Sequence, residues 1–213
     1  MIMQLCYSLH GSSIVLSVSS ALPTPGLRER KNLRTRQAII RATAELTHEV
    51  GFAGATIPKI AERADVAPRT VSVWFPVKED ILFEDIGDQV ARLEEQLREG
   101  EGTVVDRIDR WLADEGRRLQ PDIDIHELRF RAILADPQLR ARELQLLEPI
   151  HTAIARAVAR DLEQPEDSMR PQVFAAAAMG FLLNIRTQNL MGTMTPDQRD
   201  AGIAFLRAGL AAD

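Results

Sequence analysis

The stretch IPKIAERADVAPRTVSVWF, residues 57–75, decides the fold. Ile57, Ile60, Ala61 and Ala64 repeat at i, i+3, i+4 and i+7, the spacing of one buried helical face. Thr56 is placed to cap this helix, and Pro58 is tolerated in its first turn. Asp65-Val66-Ala67 breaks the pattern, and Pro68 opens a second short helix that ends near Phe75. Two short helices around a tight turn make a helix-turn-helix. Ala61 and Ala64 let the backbones approach, Val66 fills the corner and Val71 anchors the second helix, whose opposite face is left free for a DNA groove. The same spacing also suits any pair of short helices in a bundle, so both readings stay open at this point.

Upstream, Ile39, Thr43, Leu46 and Val50 give a first helix with one buried face, ended by Gly51 and Phe52. Downstream, Pro76 stops the second short helix. A long helix starts at Lys78-Glu79-Asp80 and runs to about Arg98, with Ile81, Leu82, Ile86, Val90, Leu93 and Leu97 inward. Five more helices follow at about 103–119, 123–135, 137–162, 168–191 and 196–211, with breaks at Asp136-Pro137, Gln164-Pro165 and Thr195-Pro196. Pro149 is expected to kink the third of these. The fold class is all-α, about nine helices. Residues 1–26, without a charge and ending in Pro-Thr-Pro-Gly, read as a disordered extension or a misplaced start. Residues 27–82 then form the helix-turn-helix domain, and 83–213 a second, helical domain.

The charge is unevenly divided. The 213 residues carry 26 Lys/Arg and 31 Asp/Glu, a net charge of −5. Leu27 to Lys78 holds ten basic and five acidic residues, whereas the rest holds 16 and 26. A cationic module on an acidic body suits a nucleic-acid contact confined to one end. The single cysteine, Cys6, excludes an internal disulfide and a cysteine-based metal centre, and a reducing cytoplasm fits best. The longest later apolar run, Val173 to Ile185, is too short for a membrane span.

The segment from Arg36 to Leu82 resembles the DNA-binding domain of the TetR family of bacterial transcription regulators. The residues that carry the resemblance are Ile39-Ile40-x-Ala42, Gly51-Phe52, Thr56-Ile57, Ile60-Ala61, Ala64-Asp65-Val66, Thr70-Val71, Trp74-Phe75 and Lys78-Glu79-Asp80-Ile81-Leu82. Four positions depart from the usual pattern: Asp65 stands for a turn glycine, Ala67 for a serine cap, and Ser72 and Trp74 for tyrosines. The resemblance implies that Arg69, Thr70, Ser72 and Val73, on the helix opened by Pro68, face the major groove, where Arg can grip guanine and Val can touch a thymine methyl. It also implies phosphate contacts for Lys78, Thr56 and the N–H groups near Thr56. Arg28, Arg30, Lys31 and Arg34 are read as a flexible basic arm ahead of the first helix. Trp74 belongs to the same DNA-facing set by position, but it and Phe75 lie at the helix end nearest the bundle, which favours a core role over base stacking.

For the body, the resemblance implies a small-molecule effector and a homodimer built from the last two helices. Phe174, Ala178, Phe181, Leu182, Ile185, Ile203, Phe205, Leu206 and Leu210 are the expected interface, being more apolar surface than one helix pair needs. Such a dimer would present its recognition helices to a near-palindromic operator of double-stranded DNA. Trp111, His126, Arg129, Phe130, Ile133, His151, Phe181, Asn184 and Gln188 mix apolar and polar types on helices that should enclose a cavity, and are the expected effector contacts. An apolar effector relieving repression is the expected function; no cofactor and no metal is expected. A helical enzyme is the weakest alternative. His126-Glu127 and His48-Glu49 lack the second histidine of a zincin motif, and no phosphate loop or nucleophile elbow occurs. An interaction module without DNA binding is the other alternative.

Overall fold

The computed structural model describes residues 26–211 of the chain. The reading of residues 1–26 as an extension therefore lies, Gly26 apart, outside the described residues. Ten α-helices and one 3-10 turn make up the described part, with no strand among the described residues. They are α1 (Leu27–Gly54), α2 (Ile57–Arg63), α3 (Pro68–Trp74), α4 (Asp80–Phe83), α5 (Ile86–Glu99), α6 (Val104–Leu119), α7 (Ile123–Ala135), α8 (Pro137–Asp161), α9 (Met169–Leu190) and α10 (Pro196–Ala211), with the 3-10 turn at Gln120–Asp122. The tenth helix arises because the expected helix from Lys78 to Arg98 is divided by a turn at Glu84-Asp85. The inward residues stay as the periodicity predicts: Ile81, Leu82, Ile86, Val90, Leu93 and Leu97 are all buried. Helix α8 continues through Pro149 as one element.

Two buried clusters organise the chain. The first joins Ile39, Ile40, Ala42 and Leu46 of α1 with Ile60, Ala61, Val71, Phe75 and Ile81, and takes in Ile125 from α7. The second is the body: Leu82, Phe83, Ile86 and Leu93 pack with Val104, Ile108, Ile133, Ile154, Phe174, Ala178 and Leu206, and Ala44 and Phe52 of α1 reach into it. Helix α1 therefore serves both clusters. Its buried threonines are satisfied internally, Thr43 and Thr47 each donating to the carbonyl four residues back at 2.8 and 2.7 Å. Val50 departs from the expected buried face and is half exposed, because the helical geometry fails at the next residue: Gly51 has φ 74° and ψ 161°. That left-handed φ is easy only for glycine. It turns the chain so that Phe52 points inward.

Polar groups close the ends of the body helices. Thr103 and Asp106 form a reciprocal capping box at the start of α6. The Asp161 carboxylate at the end of α8 accepts from the Val104 N–H at 2.6 Å and from the buried Arg107 guanidinium at 2.5 Å. At the last helix pair, a β-carbon on Gly202 would lie 2.0 Å from Phe181 Cε2, so the Phe181 ring is seated against bare backbone. Leu93 is fully buried at the centre of the body. Leu93→Ala should lower the unfolding free energy by about 2–5 kcal/mol, as deletion of a buried leucine does. Urea denaturation followed by circular dichroism measures this, and a loss below about 1 kcal/mol would contradict the packing described.

Candidate nucleic-acid interface and effector cavity

The turn between α2 and α3 is built from local hydrogen bonds. The Asp65 N–H donates to Glu62 O at 3.2 Å and the Val66 N–H to Ala61 O at 3.0 Å. Asp65 has φ 53°, so it occupies the left-handed conformation for which glycine is usual, and which Asp tolerates better than most side chains. Val66 and Ala64 are half-buried against the first cluster, and Val71 is fully buried. Pro68 is the first residue of α3, and no side chain caps that helix at Ala67. Thr56 does not cap α2 through its side chain as expected; its hydroxyl makes no cap hydrogen bond and the residue is exposed.

With Val71 turned inward, the outer face of α3 presents Arg69, Ser72 and Val73, the last 69% exposed. Thr70 and Trp74 are half-buried; Trp74 packs on the first cluster and Phe75 is buried in it. Arg28, Arg30, Lys31 and Arg34 do not form a flexible arm. They lie within the first turns of α1, where the helix outruns its core and all four are exposed. None of these four, nor Arg69, makes an ion pair among the described residues. Arg63, by contrast, is held by Glu49 at 2.6 and 2.8 Å. Lys78 is half-buried and turned to the protein: its Nζ donates to Phe52 O at 2.8 Å and stands 4.0 Å from the Phe52 ring centre. The expected phosphate contact of Lys78 therefore competes with an internal one, in which the ammonium holds the chain after the Gly51 break.

Between this module and the body lies a connected set of polar side chains. Arg36 of α1 pairs with Glu84, Gln37 Nε2 donates to Asp122 at 3.0 Å, and Arg41 pairs with Asp124. Asp85, at the turn between α4 and α5, pairs with Arg129, lies 3.5 Å from His126 Nδ1 and accepts from Gln89 Nε2 at 3.1 Å. Burial pushes the Glu84 carboxyl up despite Arg36. Burial also acts to raise Asp85, but the Arg129 guanidinium and His126 outweigh it and hold the carboxyl below its ordinary value. His126 is lowered by burial and by Arg129, with Asp85 opposing only in part.

A cavity of about 800 Å³ opens in the body, lined chiefly by α6, α8 and α9 with Gln89 of α5 and Arg199 of α10. Of the expected effector contacts only Trp111 lines it. His126 and Arg129 are instead committed to Asp85, Phe130 and Ile133 are buried in packing, and Gln188 donates to Asn184 at 2.8 Å. His151 and Phe181 likewise fall outside the lining, Phe181 against Gly202. Phe181, Asn184 and Gln188 lie on α9, a lining helix, but on other faces of it, and four of the nine expected residues lie on α7, which gives the lining only Ile123. Leu182, Leu183, Ile185, Arg186 and Asn189 are the α9 residues that reach it. The expected dimer residues are corrected in the same way. Phe174, Ala178, Leu182, Ile185, Ile203 and Leu206 are buried within the chain, Phe181 and Leu210 are half-buried, and of that set only Phe205, 70% exposed, is freely available. Among the described residues no group of three or more His, Cys, Asp or Glu could hold a metal ion, and no helix is long and apolar enough to cross a membrane.

The Asp85 contacts carry a pH signature. A carboxyl lowered on folding stabilises the fold above its unfolded value and loses that contribution as acid protonates it. Asp85→Asn should cost on the order of 3 kcal/mol at neutral pH, since Arg129 is left buried without its carboxylate. It should also flatten the fall in stability as the pH drops below about 4, the ordinary range of an unfolded aspartate. Urea midpoints across that range measure both, and parallel profiles for the two proteins would contradict the assignment.

Comparison with known proteins agrees with these two parts. Residues 39–84 match a family described as bacterial regulatory proteins, tetR family, and residues 103–211 match the MftR C-terminal domain. The chain is 30% identical over 161 residues to the HTH-type transcriptional regulator TcmR of Streptomyces glaucescens, covering 71% of each. It is 24% identical to the HTH-type transcriptional repressor KstR of Mycobacterium tuberculosis, over 91% of this chain and 87% of that one. Among solved structures, FadR from Bacillus subtilis in complex with stearoyl-CoA superposes with a TM-score of 0.55 at 21% identity, over 82% of this chain and 97% of that one. The fatty acid degradation regulator FadR from Bacillus halodurans gives 0.56 at 17%, over 83% and 98%. The exposed second helix of the helix-turn-helix, the helical body and these matches lead to one assignment: the chain belongs to the TetR family of bacterial regulatory proteins and is a DNA-binding transcriptional regulator.

Proposed function

We propose that this chain is a homodimeric repressor that holds a near-palindromic operator through α3 and is released when an apolar effector fills the body cavity. The observation that carries the reading is the outer face of α3. Arg69, Ser72 and Val73 stand exposed on a helix fixed from behind by Val71, and Arg69 has no carboxylate partner among the described residues. This favours DNA over a partner protein, because a guanidinium beside an apolar residue on a rigid short helix suits guanine and thymine edges in a major groove. Arg28, Arg30, Lys31 and Arg34 on the first turns of α1 supply backbone contacts. Membership in a regulator family supports a reading without a catalytic step, acting in the cytoplasm where the operator is.

The dimer is drawn from the surface left outside the core. Val173, Ala176, Ala177 and Gly180 on α9 and Ala204, Phe205 and Ala208 on α10 are exposed, small or apolar, and close to one another in helical spacing. Such faces allow two helix pairs to pack closely.

The route from cavity to DNA runs through Gln89, which lines the cavity and donates to Asp85. Asp85 holds α7 through Arg129 and His126, while Glu84, Asp122 and Asp124 hold α1 through Arg36, Gln37 and Arg41. An effector that competes for Gln89 shifts the turn at Glu84-Asp85, and with it the helix that carries the reading head. It does so only if it binds the two positions with different affinity.

Selection of bound duplexes from a random pool should return a sequence with twofold symmetry, its half-sites about one helical turn apart. Arg69→Ala should cost about 1–3 kcal/mol against that site and relax the preference at one base of each half-site, whereas loss of Arg30 and Lys31 should weaken all sequences alike and reduce the salt dependence. Equal behaviour of the two changes, or an asymmetric site, would contradict the assignment of α3.

A further inference from the structure

The cavity's walls are mostly apolar, with Leu112, Leu119, Leu147, Ile150, Met179 and Leu183 among them. Every charged side chain on the lining already has a counter-charge. Glu115 is held by Arg92 in a two-pronged pair, Nε to Oε2 at 3.1 Å and Nη2 to Oε1 at 2.8 Å. Arg186 lies 2.8 Å from Glu143 and over the Phe130 ring at 5.2 Å. Arg199 pairs with Asp109, and Arg117 with Asp114. Glu115 and Glu143 are only 6% and 3% exposed. Arg117 is largely exposed at the rim, so the inner wall is governed by the buried Glu115 and Glu143 pairs: an ionised ligand head reaching that depth would have to strip one of them or bury its own charge uncompensated, both strongly unfavourable away from water.

One buried polar side-chain atom on the lining is unmet. The Trp111 indole nitrogen is buried without a hydrogen-bond partner. The other buried side-chain atoms in that condition belong to the ion pairs of Arg36, Glu84, Arg107 and Glu143, apart from Gln188 Oε1, which does not line the cavity. A buried donor without an acceptor costs more than most single contacts return, and it is rare in folded proteins. Indole N–H can only donate, so whatever satisfies it must bring an acceptor. Trp111 and Glu115 also form the wall shared with a smaller polar recess of about 300 Å³ beside Arg92 and Glu95.

We infer that the effector is an uncharged molecule with an extended apolar body and a carbonyl-type oxygen that accepts the Trp111 N–H. This rests on reading the cavity as the effector site. The test is displacement of a neutral apolar fluorophore, N-phenyl-1-naphthylamine, from the full-length protein by four ligands of equal chain length: dodecane, 2-dodecanone, dodecanoate and dodecylammonium. The ketone should displace the dye best, about threefold to tenfold better than dodecane, the range expected of one net hydrogen bond. Both ions should be weaker than the ketone. Trp111→Phe, which keeps an aromatic ring and removes the N–H, should bring the ketone-to-dodecane ratio to about one, whatever the smaller ring does to both ligands. Dodecanoate or dodecylammonium matching or exceeding the ketone, a ketone no better than dodecane, or a Trp111→Phe protein that keeps the advantage would each overturn the inference while leaving the cavity a binding site. An N–H facing the polar recess would give the second of these results. A dye that does not bind at all would instead overturn the cavity reading on which the inference depends.

Discussion

Helix α1 must satisfy two cores at once, and the rest of the molecule is arranged around that constraint. Its middle turns pack against α2 and α3 through Ile39, Ile40 and Leu46, while Ala44 and Phe52 belong to the body. Apolar contact holds it on both sides without direction. The direction comes from polar grips on Glu84 at the α4–α5 turn and on Asp122 and Asp124 at the start of α7, which fix how α1 lies on the body. The arrangement makes the reading head and the body one mechanical unit, joined where carboxylates and guanidiniums meet. These contacts are half-buried to exposed, so they set geometry more than they add stability.

Much of this was legible in the residues. The helix-turn-helix follows from Ile57, Ile60, Ala61, Ala64 and Val71 because a short helix with one small-residue face has few ways to pack. Helix boundaries in the body followed from Asp-Pro and Thr-Pro steps, which act locally. What periodicity cannot supply is the rotation of a helix against neighbours distant in sequence. His126, Arg129 and Gln188 sit on helices that approach the cavity, yet their side chains turn elsewhere, since the partner that claims Arg129 is Asp85, 44 residues away. The residues expected at the dimer interface are mostly turned inward for a related reason. Apolar side chains on the last two helices were assigned to an outside partner, whereas α8 and α6 cover most of them. The run of Ala and Gly between them stays exposed once the large residues have been used.

Two sites in the sequence break local rules, and both are explained by position. Asp65 takes a left-handed φ at the turn, where its short polar side chain is tolerated better than a branched one. Lys78, the most inviting cation near the operator face, spends its ammonium on Phe52 and its carbonyl. It closes the corner opened by Gly51, so the cationic residue works first on the shape of the module. The charge that reaches outward is carried by α3 and by the first turns of α1.

The seat of Phe181 against Gly202 has a consequence for where motion can occur. With no side chain between ring and backbone, α9 and α10 are clamped into a stiff plank that tolerates little sliding. In a pair of subunits joined along that plank, displacement at one end must be expressed at the other, as in tweezers whose handles are riveted. Under the proposed release, a small tilt near Glu84-Asp85 would then appear as a change in the gap between two distant tips. That stiffness would be owed to Gly202, a residue outside the cavity lining.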